Sequence, residues 1–380
     1  MAKEIDYANL VVLAPMVRVS TLPFRLTALK YGADLVWSEE LVDKRIIGCV
    51  RKYNPATNVI EYRKGKSLVF GTNSEEKGKV ILQLGTADAD LALEAALTVK
   101  QDVAGIDVNC GCPKKFSVQG GMGAALLSNP ENLKKILINL VNNSGLPVTC
   151  KIRLLDTAEK TVELAKMIES TGVKALTVHC RTKEQRPSSK ANWEALTAVV
   201  DAIRSIPVIV NGDIYTQEDI PKVKAMTNAS SVMIARGAQY NPSVFRQGGL
   251  LSYEEAVDTY IKKCIDVDNV FQNTKYVLLS MCTDPHHTRS ERYNRMQKAK
   301  TNLALCEIFG LESYYHEAVA AQKANLEVAQ KADLEANDAK PDLEKIEQTG
   351  EKRPLKGEDE DSVSQVKKAK LDKLEESCKE

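Results

Sequence analysis

Apolar residues along the chain fall into two alternating kinds of run. Short stretches rich in β-branched residues recur at Leu10–Leu13, Leu35–Trp37, Val80–Leu84, Gly105–Val108, Val148–Ile152, Ala175–Val178, Val208–Val210 and Val232–Ala235, and read as strands. Between most of them lie stretches of helical periodicity, at Asp88–Lys100, Pro130–Asn142, Thr157–Thr171, Trp193–Ile203 and Gln217–Met226. Several open on Asp, Asn or Thr, where a helix cap belongs. Eight strand–helix repeats predict an α/β fold, a (β/α)8 TIM barrel, rather than an open doubly wound sheet. The interval Thr57–Phe70, before the third strand, alternates like a hairpin and is expected to be an excursion from the barrel.

After Pro242 the alternation stops. Amphipathic stretches at Tyr253–Val267, Asn269–Cys282, Arg289–Phe309 and Leu311–Gln322 predict a smaller all-helical domain. From residue 323 onward there is no aromatic residue, and Ala, Glu, Lys and Asp dominate. The portion Ala324–Glu335 reads as a solvated helix, and beyond Pro341 we expect disorder. The expected divisions are therefore 1–245 for the barrel, 246–322 for the helical domain and 323–380 for a charged tail.

Composition adds three constraints. The chain of 380 residues suffices for one large barrel plus an appendage. Its formal charge of +1 hides an acidic tail: residues 321–380 hold 12 Lys+Arg and 16 Asp+Glu, which leaves residues 1–320 at +5. A mildly basic body suits a polyanionic partner. Nine cysteines without a disulfide-framework spacing point to reduced thiols and a cytoplasmic setting. The first residues lack the apolar core of a leader, and no apolar stretch is long enough to span a bilayer, so no membrane association is expected.

In a barrel of this kind the chemistry gathers at the carboxyl ends of the strands. Pro15-Met16, Glu39-Glu40, Gln83, Cys112, Lys151, His179, Asn211-Gly212 and Arg236-Gly237 all fall in or just after successive strands. Cys112 stands beside Pro113, which stiffens the turn, and near Lys114 and Lys115, whose charge is expected to favour the thiolate. Lys151 lies between apolar neighbours, where an unpaired ammonium is costly, so it needs a partner; a carboxylate such as Asp107 is one choice. The turns Asn211-Gly212 and Ala235-Arg236-Gly237, after strands seven and eight, offer backbone N–H groups to a phosphate or are ordinary turns.

The helical region supplies a candidate binding face. Arg289, Arg292, Arg295 and Lys298 recur every third residue, with Tyr293 nearby for stacking, and form either an RNA-binding stripe or a solvated helix face. Lys352-Arg353 and Lys367-Lys368-Ala369-Lys370 read as a nuclear import signal, as an RNA-binding arm, or as ordinary disordered-tail clusters. No metal site is expected, because Cys110-x-Cys112, His286-His287 and His316 lack partners at ligand spacing.

The run Asn109-Cys110-Gly111-Cys112-Pro113, with Gly120-Gly121-Met122-Gly123 after it, resembles the active-site signature of the tRNA dihydrouridine synthases. Leu13-Ala14-Pro15-Met16-Val17, Gln83-Leu84-Gly85, Cys150-Lys151-Ile152-Arg153, Val178-His179-Cys180-Arg181, Val210-Asn211-Gly212-Asp213 and Ala235-Arg236-Gly237 follow in the family's order, over about the first 245 residues. The Asp34–Glu40 stretch and Asn273-Thr274-Lys275-Tyr276 resemble the eukaryotic branch that modifies the position-20 uridine of the D-loop. Cys110 departs from the pattern, since relatives often carry another residue there, and it leaves two thiols one residue apart.

The resemblance implies a flavoenzyme. FMN would be bordered by Pro15, Met16 and Val17, hydrogen-bonded at its polar edge by Gln83, contacted on its N1–C2=O side by Lys151 and His179, and held by Asn211, Gly212, Asp213, Ala235 and Arg236. Its reaction is reduction of the uridine C5–C6 double bond: hydride reaches C6, and Cys112 rather than Cys110 protonates C5 as general acid. Glu40, Asn109, Arg181, Lys275, Arg289, Arg292 and Arg295 are the residues expected to meet the tRNA. NADPH or NADH would reduce the flavin through the same mouth, because no Gly-x-Gly-x-x-Gly stretch follows a strand. Animal relatives often add a double-stranded-RNA-binding domain, and residues 323–380 do not read as one. The chain is expected to work as a monomer, in the cytoplasm and also in the nucleus if the basic tail clusters act as an import signal. Two other readings remain: a flavin barrel acting on a free pyrimidine-like metabolite, as dihydroorotate dehydrogenases do, and a non-catalytic tRNA-binding protein on a degenerate barrel.

Overall fold

The computed structural model describes residues 5–283 and 288–338. Eight parallel strands close into a barrel: β1 (Val11–Leu13), β2 (Val36–Trp37), β7 (Val80–Gly85), β8 (Gly105–Asn109), β9 (Val148–Arg153), β10 (Ala175–His179), β11 (Val208–Asn211) and β12 (Ser231–Ile234). Closure is made by β1 pairing with both β12 and β2, and by β2 pairing with β7. Ile106, Val108, Cys150, Ile152, Leu176 and Val178 belong to the large core cluster of strand and helix residues, so both sheet faces are covered and the strands are apolar nearly throughout. A smaller cluster, Tyr7, Val12, Trp37, Ile81, Ala175, Ile209 and Met233, fills the barrel.

The surrounding helices begin where the caps predict. Asp88 caps α3 (Ala89–Val99), Asn129 caps α5 (Pro130–Asn143) and Thr157 caps α6 (Ala158–Glu169), each accepting a backbone N–H in its first turn. α7 (Glu194–Ala202) and α8 (Asp219–Thr227) complete the repeats that the periodicity predicts. α1 (Leu22–Lys30) has no amphipathic signature because seven of its nine residues are buried.

Two features depart from a plain repeat. Strand two is broken: β3 (Leu41–Val42) rejoins β7 after β2, and Glu39 and Glu40 leave the ladder between them, after a last bond from the Ser38 N–H to the Ile81 carbonyl at 2.9 Å. Ser38 explains the break, since its Oγ accepts the Gln83 N–H and donates to the Glu39 carbonyl. The excursion is wider than Thr57–Phe70: a short α2 (Asp43–Ile46) leads into an antiparallel sheet of β4 (Val50–Asn54), β5 (Val59–Lys64) and β6 (Ser67–Asn73). The fully buried pair Arg25–Glu76, at 2.6 Å, ties this sheet to α1, with Arg25 also donating to the Gly71 carbonyl.

Beyond β12 come α9 (Arg236–Tyr240), α10 (Tyr253–Asp266) and α11 (Phe271–Met281). Ser252 and Glu255 form a capping box at the start of α10, whose Tyr260 packs edge-on against Phe24 of α1 at 5.8 Å. The stretch expected as one helix over Arg289–Phe309 is two, α12 (Glu291–Lys298) and α13 (Asn302–Ile308), because Thr301 caps the second. α14 runs Glu312–Asp338, well past Gln322. The chain divides into two units, Met1–Ala329 and Gln330–Glu380, and the described part of the second is the end of that helix. No helix among the described residues is long and apolar enough to cross a membrane. The basic tail clusters and His286-His287 lie outside the described residues.

Candidate active site

Alternation along a strand sends every second residue inward, and the parallel register stacks these residues in layers. Gln83 stands opposite Asp107 and Asp107 opposite Thr149; above them Asn109 is opposite Lys151, and Arg153 is opposite His179, which is opposite Asn211. The lower layer is closed on itself, with Asp107 accepting from Gln83 Nε2 at 2.7 Å and from Thr149 Oγ1 at 2.6 Å.

Asn109 connects this layer to the catalytic loop. Its Nδ2 donates to Gln83 Oε1 at 2.9 Å, while its Oδ1 accepts the backbone N–H groups of Gly111 (2.9 Å) and Cys112 (3.0 Å). That Asx turn holds Cys112 just above the strand end. Behind it the Gly-Gly-Met-Gly segment serves as backing: Gly121 and Gly123 have φ of +74° and +58°, and Ala124 N–H donates to the Cys112 carbonyl at 2.9 Å.

Cys112, Glu40, Gln83, Asn109, Lys151, His179 and Asn211 line one cavity of about 210 Å³, together with Ala14, Pro15, Val17, Arg153 and Ala235. The sulfur, the ammonium and the imidazole are thus on one rim. A second cavity of about 210 Å³ shares Arg153, His179, Asn211 and Ala235 with the first and continues over Arg181, Gly212, Asp213, Tyr215 and Arg236. Three guanidiniums face one carboxylate there, which leaves a surplus of positive charge. Arg153, quoted in the strand-five motif but given no role there, is a site residue. It donates from Nε to the Gly111 carbonyl at 2.7 Å and from Nη1 to the Thr182 carbonyl at 2.9 Å, clamping two rim loops. The signal was present in strand five, where Lys-x-Arg at period two places both cations on the inner face.

The electrostatics separate the roles. Burial, followed by repulsion from Arg153, lowers the Lys151 ammonium to about 8. Asp107, one choice of ion-pair partner in the sequence, is instead engaged by Gln83 and Thr149 and acts on it only through space. Burial, and then the charges of Lys151, Arg153, Arg181 and Arg236, depress His179 to about 2, so the ring is neutral. Arg181 Nη1 lies 3.2 Å from His179 Nε2; a guanidinium can only donate, which assigns the ring proton to Nδ1. Cys112 corrects the sequence reading. Burial and then the Glu40 carboxyl push its thiol above the ordinary value, while Lys114 and Lys115 are exposed, so the group is a thiol and not a thiolate.

Several other expectations also change. Arg181 is buried and grips Asp213 with both carboxylate oxygens within 2.6 Å, so it is not on a surface that RNA can reach. Arg236 joins it on Asp213 at 2.5 Å. Burial alone would raise Asp213, but these guanidiniums, Arg181 first, leave it below its usual range. Met16 does not line the cavity, and Val17 takes its place there. Lys275 donates to the Ala299 carbonyl at 2.9 Å and to that of Gln297, holding the end of α12 rather than a ligand. Arg289 precedes α12, whose cap is Ser290, and Arg292 pairs with Glu254 at 3.1 Å, so the expected stripe is shorter than four residues. Arg289 and Arg295 are exposed.

A closed parallel barrel with its polar side chains gathered on the carboxyl rim defines a (β/α)8-barrel enzyme. A family model described as dihydrouridine synthase matches residues 12–337, and the chain belongs to that family. It is 42% identical over 325 residues to a tRNA-dihydrouridine(20) synthase (NAD(P)+) of Schizosaccharomyces pombe, covering 83% of this chain and 67% of that one. A protein of the same name from Saccharomyces cerevisiae is 41% identical over 297 residues, 72% of this chain and 77% of its own. A human tRNA-dihydrouridine(20a/20b) synthase-like protein is 34% identical over 259 residues, 67% of this chain and 75% of its own.

Proposed function

We propose that the protein reduces the C5–C6 double bond of a D-loop uridine in tRNA, at position 20, using FMN and either NADPH or NADH. The observation that carries this reading is the convergence of Cys112, Lys151 and His179 on one cavity at the carboxyl rim. Position 20 is favoured because identity is 41–42% to relatives named for that position and 34% to one named for 20a/20b.

The rim fits an anionic, planar cofactor. Lys151 is a largely buried cation, and Asp107, the carboxylate that acts on it, is otherwise engaged, which is the situation an anionic ligand relieves. Gly212, at φ +124°, lies so close to Ala191 Cβ, His179 and Arg181 that a Cβ there would come within 3.1–3.4 Å of all three, so the backbone itself forms that wall. Asn211, Gly212, Ala235 and Arg236 would hold the phosphate end; Pro15 and Val17 would border the ring, and Gln83 has a second amide hydrogen for its polar edge. FMN, when bound, supplies the hydride that adds to C6.

The chain's own groups do the rest. Cys112 Sγ carries the proton for C5: its S–H bond breaks as the C5–H bond forms, and a thiol kept protonated by its surroundings suits a general acid. The Lys151 ammonium balances negative charge on the cofactor side, and the neutral His179 can donate only from Nδ1. The helical segment 246–322 is the proposed tRNA-binding domain, with Arg289 and Arg295 as exposed cations. Purified protein incubated with NADPH and unmodified tRNA should yield dihydrouridine at position 20, mapped by mass spectrometry. Dihydrouridine at another position would overturn the site assignment, and turnover of free pyrimidines but not tRNA would overturn the substrate.

A further inference from the structure

We infer that Glu40 is the positioning residue of the catalytic thiol: its carboxyl, seated at the break in strand two, keeps Cys112 in the S–H form and restores the proton after each turnover. The inference rests on the reading of Cys112 as proton donor. Sequence alone placed Glu40 among the tRNA contacts, and the geometry gives it a different task.

Residues 39 and 40 leave the ladder between β2 and β3, which frees Glu40 to line the cavity that Cys112 also lines. The carboxyl rests on Gly85, at the end of β7, where a Cβ would lie 2.6 Å from Glu40 Oε1 and 3.3 Å from its Cδ and Cγ. Position 85 must therefore lack a side chain for the carboxyl to lie where it does. Oε1 is buried and has no hydrogen-bond donor among the described residues, an expensive arrangement for a group that serves only to pack. The carboxyl and the thiol line the same cavity, and burial raises both toward their protonated forms.

The other charged groups around the thiol do not supply this effect. Lys151 and Arg153, from β9, pull the thiol toward ionisation, as does the backbone at Lys114. His179 from β10 is neutral, and Asp107 on β8 is bound to Gln83 and Thr149. Glu40 is the acidic side chain set against two cations. When the S–H proton passes to C5 a thiolate remains; its charge favours proton uptake from solvent water by the Glu40 carboxylate, and the O–H bond so formed breaks as the new S–H bond forms. The carboxylate is thereby regenerated, so each turnover consumes one solvent proton and leaves both residues unchanged.

The test reads the thiol directly. Full-length holoenzyme is alkylated with iodoacetamide across a pH series, and modification of the Cys112 peptide is followed by mass spectrometry. Glu40→Gln should speed Cys112 alkylation at pH 8 by about tenfold, because more of the sulfur is then thiolate. It should also move the alkaline limb of kcat for tRNA to lower pH, with KM within about twofold, and Glu40→Asp should restore part of both. An unchanged alkylation profile with a raised KM would overturn the inference and return Glu40 to the tRNA contacts. Should Glu40→Gln fail to fold, Gly85→Ala displaces the same carboxyl and must produce the same acceleration; no acceleration overturns the inference. Cys112→Ser run in parallel separates the two readings, because full turnover by that variant would remove the proton-donor role and leave the Glu40–Cys112 coupling measurable by itself.

Discussion

Lys151 shows how a single residue trades stability for function. Its ammonium is held at about 8 by burial and by Arg153, and Asp107, hydrogen-bonded to Gln83 and Thr149, offsets this only through space. Lys151→Met keeps the volume and removes the charge, so it should stabilise the cofactor-free protein by roughly 1–3 kcal/mol while abolishing turnover. Urea titration of wild type and variant, each stripped of flavin, checks this; equal midpoints would mean that the ammonium is already satisfied. His179 gives a pH dependence of definite sign. An unfolded histidine takes up a proton below about 6.5, whereas the folded one stays neutral down to about 2. Between these values the unfolded chain binds the extra proton, so stability falls as pH falls, by up to about 1.4 kcal/mol per pH unit from this residue. His179→Gln should flatten that acid limb, as measured by denaturation at pH 6.5 and pH 4. Cys112 teaches a different lesson: its neighbours in sequence are lysines, but Glu40, from another strand, faces the sulfur. Adjacency along the chain did not disclose the sign of its shift.

At the scale of elements, the barrel was legible because doubly covered parallel strands leave continuous apolar runs, and all eight appear within a residue or two of their expected bounds. The elements that escaped lack such a period. α1 is buried nearly all round and shows no stripe, and the interruption of strand two depends on a tertiary contact, the Gln83 N–H to Ser38 Oγ. The helix break before Thr301 carried a capping signal that the basic periodicity of Arg289–Lys298 masked. Site legibility divides the same way. Residues at strand ends were placed by topology alone, whereas Arg181 and Lys275 looked available for RNA and are occupied by Asp213 and by helix-end carbonyls. The glycine cluster behind Cys112 allows a sharp test. A Cβ on Gly123 would sit 2.7 Å from the Cys112 carbonyl and against Ser117 Oγ, at a φ of +58°. Gly123→Ala should lower stability by about 1–3 kcal/mol and turnover by at least tenfold, with FMN still bound, because strain is relieved by moving the Cys112 loop. Flavin absorbance, thermal denaturation and single-turnover rate together check it; normal turnover would show that the loop tolerates the shift.

At the scale of the whole unit Met1–Ala329, the helical segment is fastened to the barrel beside the catalytic mouth. Arg18, in the loop after β1, lies 4.0 Å over the ring of Tyr276, and Asn273 Nδ2 donates to the Arg18 carbonyl at 2.7 Å. Thr21 Oγ1 meets Asn273 Oδ1 at 3.0 Å, so the Asn273–Tyr276 motif is a joint rather than an RNA contact. This joint sets where α12 stands relative to the rim, and α12 carries Arg295 and Lys298 exposed, while Arg292 is paired with Glu254. Exposed cations that meet phosphate release counterions, and each such contact adds about 0.7–0.9 to the slope of log affinity against log salt. Replacing Arg295 and Lys298 together by alanine should therefore reduce the slope for tRNA by about 1–2, uniformly across tRNA sequences, and leave kcat at saturating tRNA within twofold. Arg292→Ala should change the slope less, since Glu254 already compensates its charge. Filter-binding titrations at a series of salt concentrations decide the matter. An unaltered slope in the double variant would make α12 a solvated face and move the search for the tRNA surface to the barrel rim.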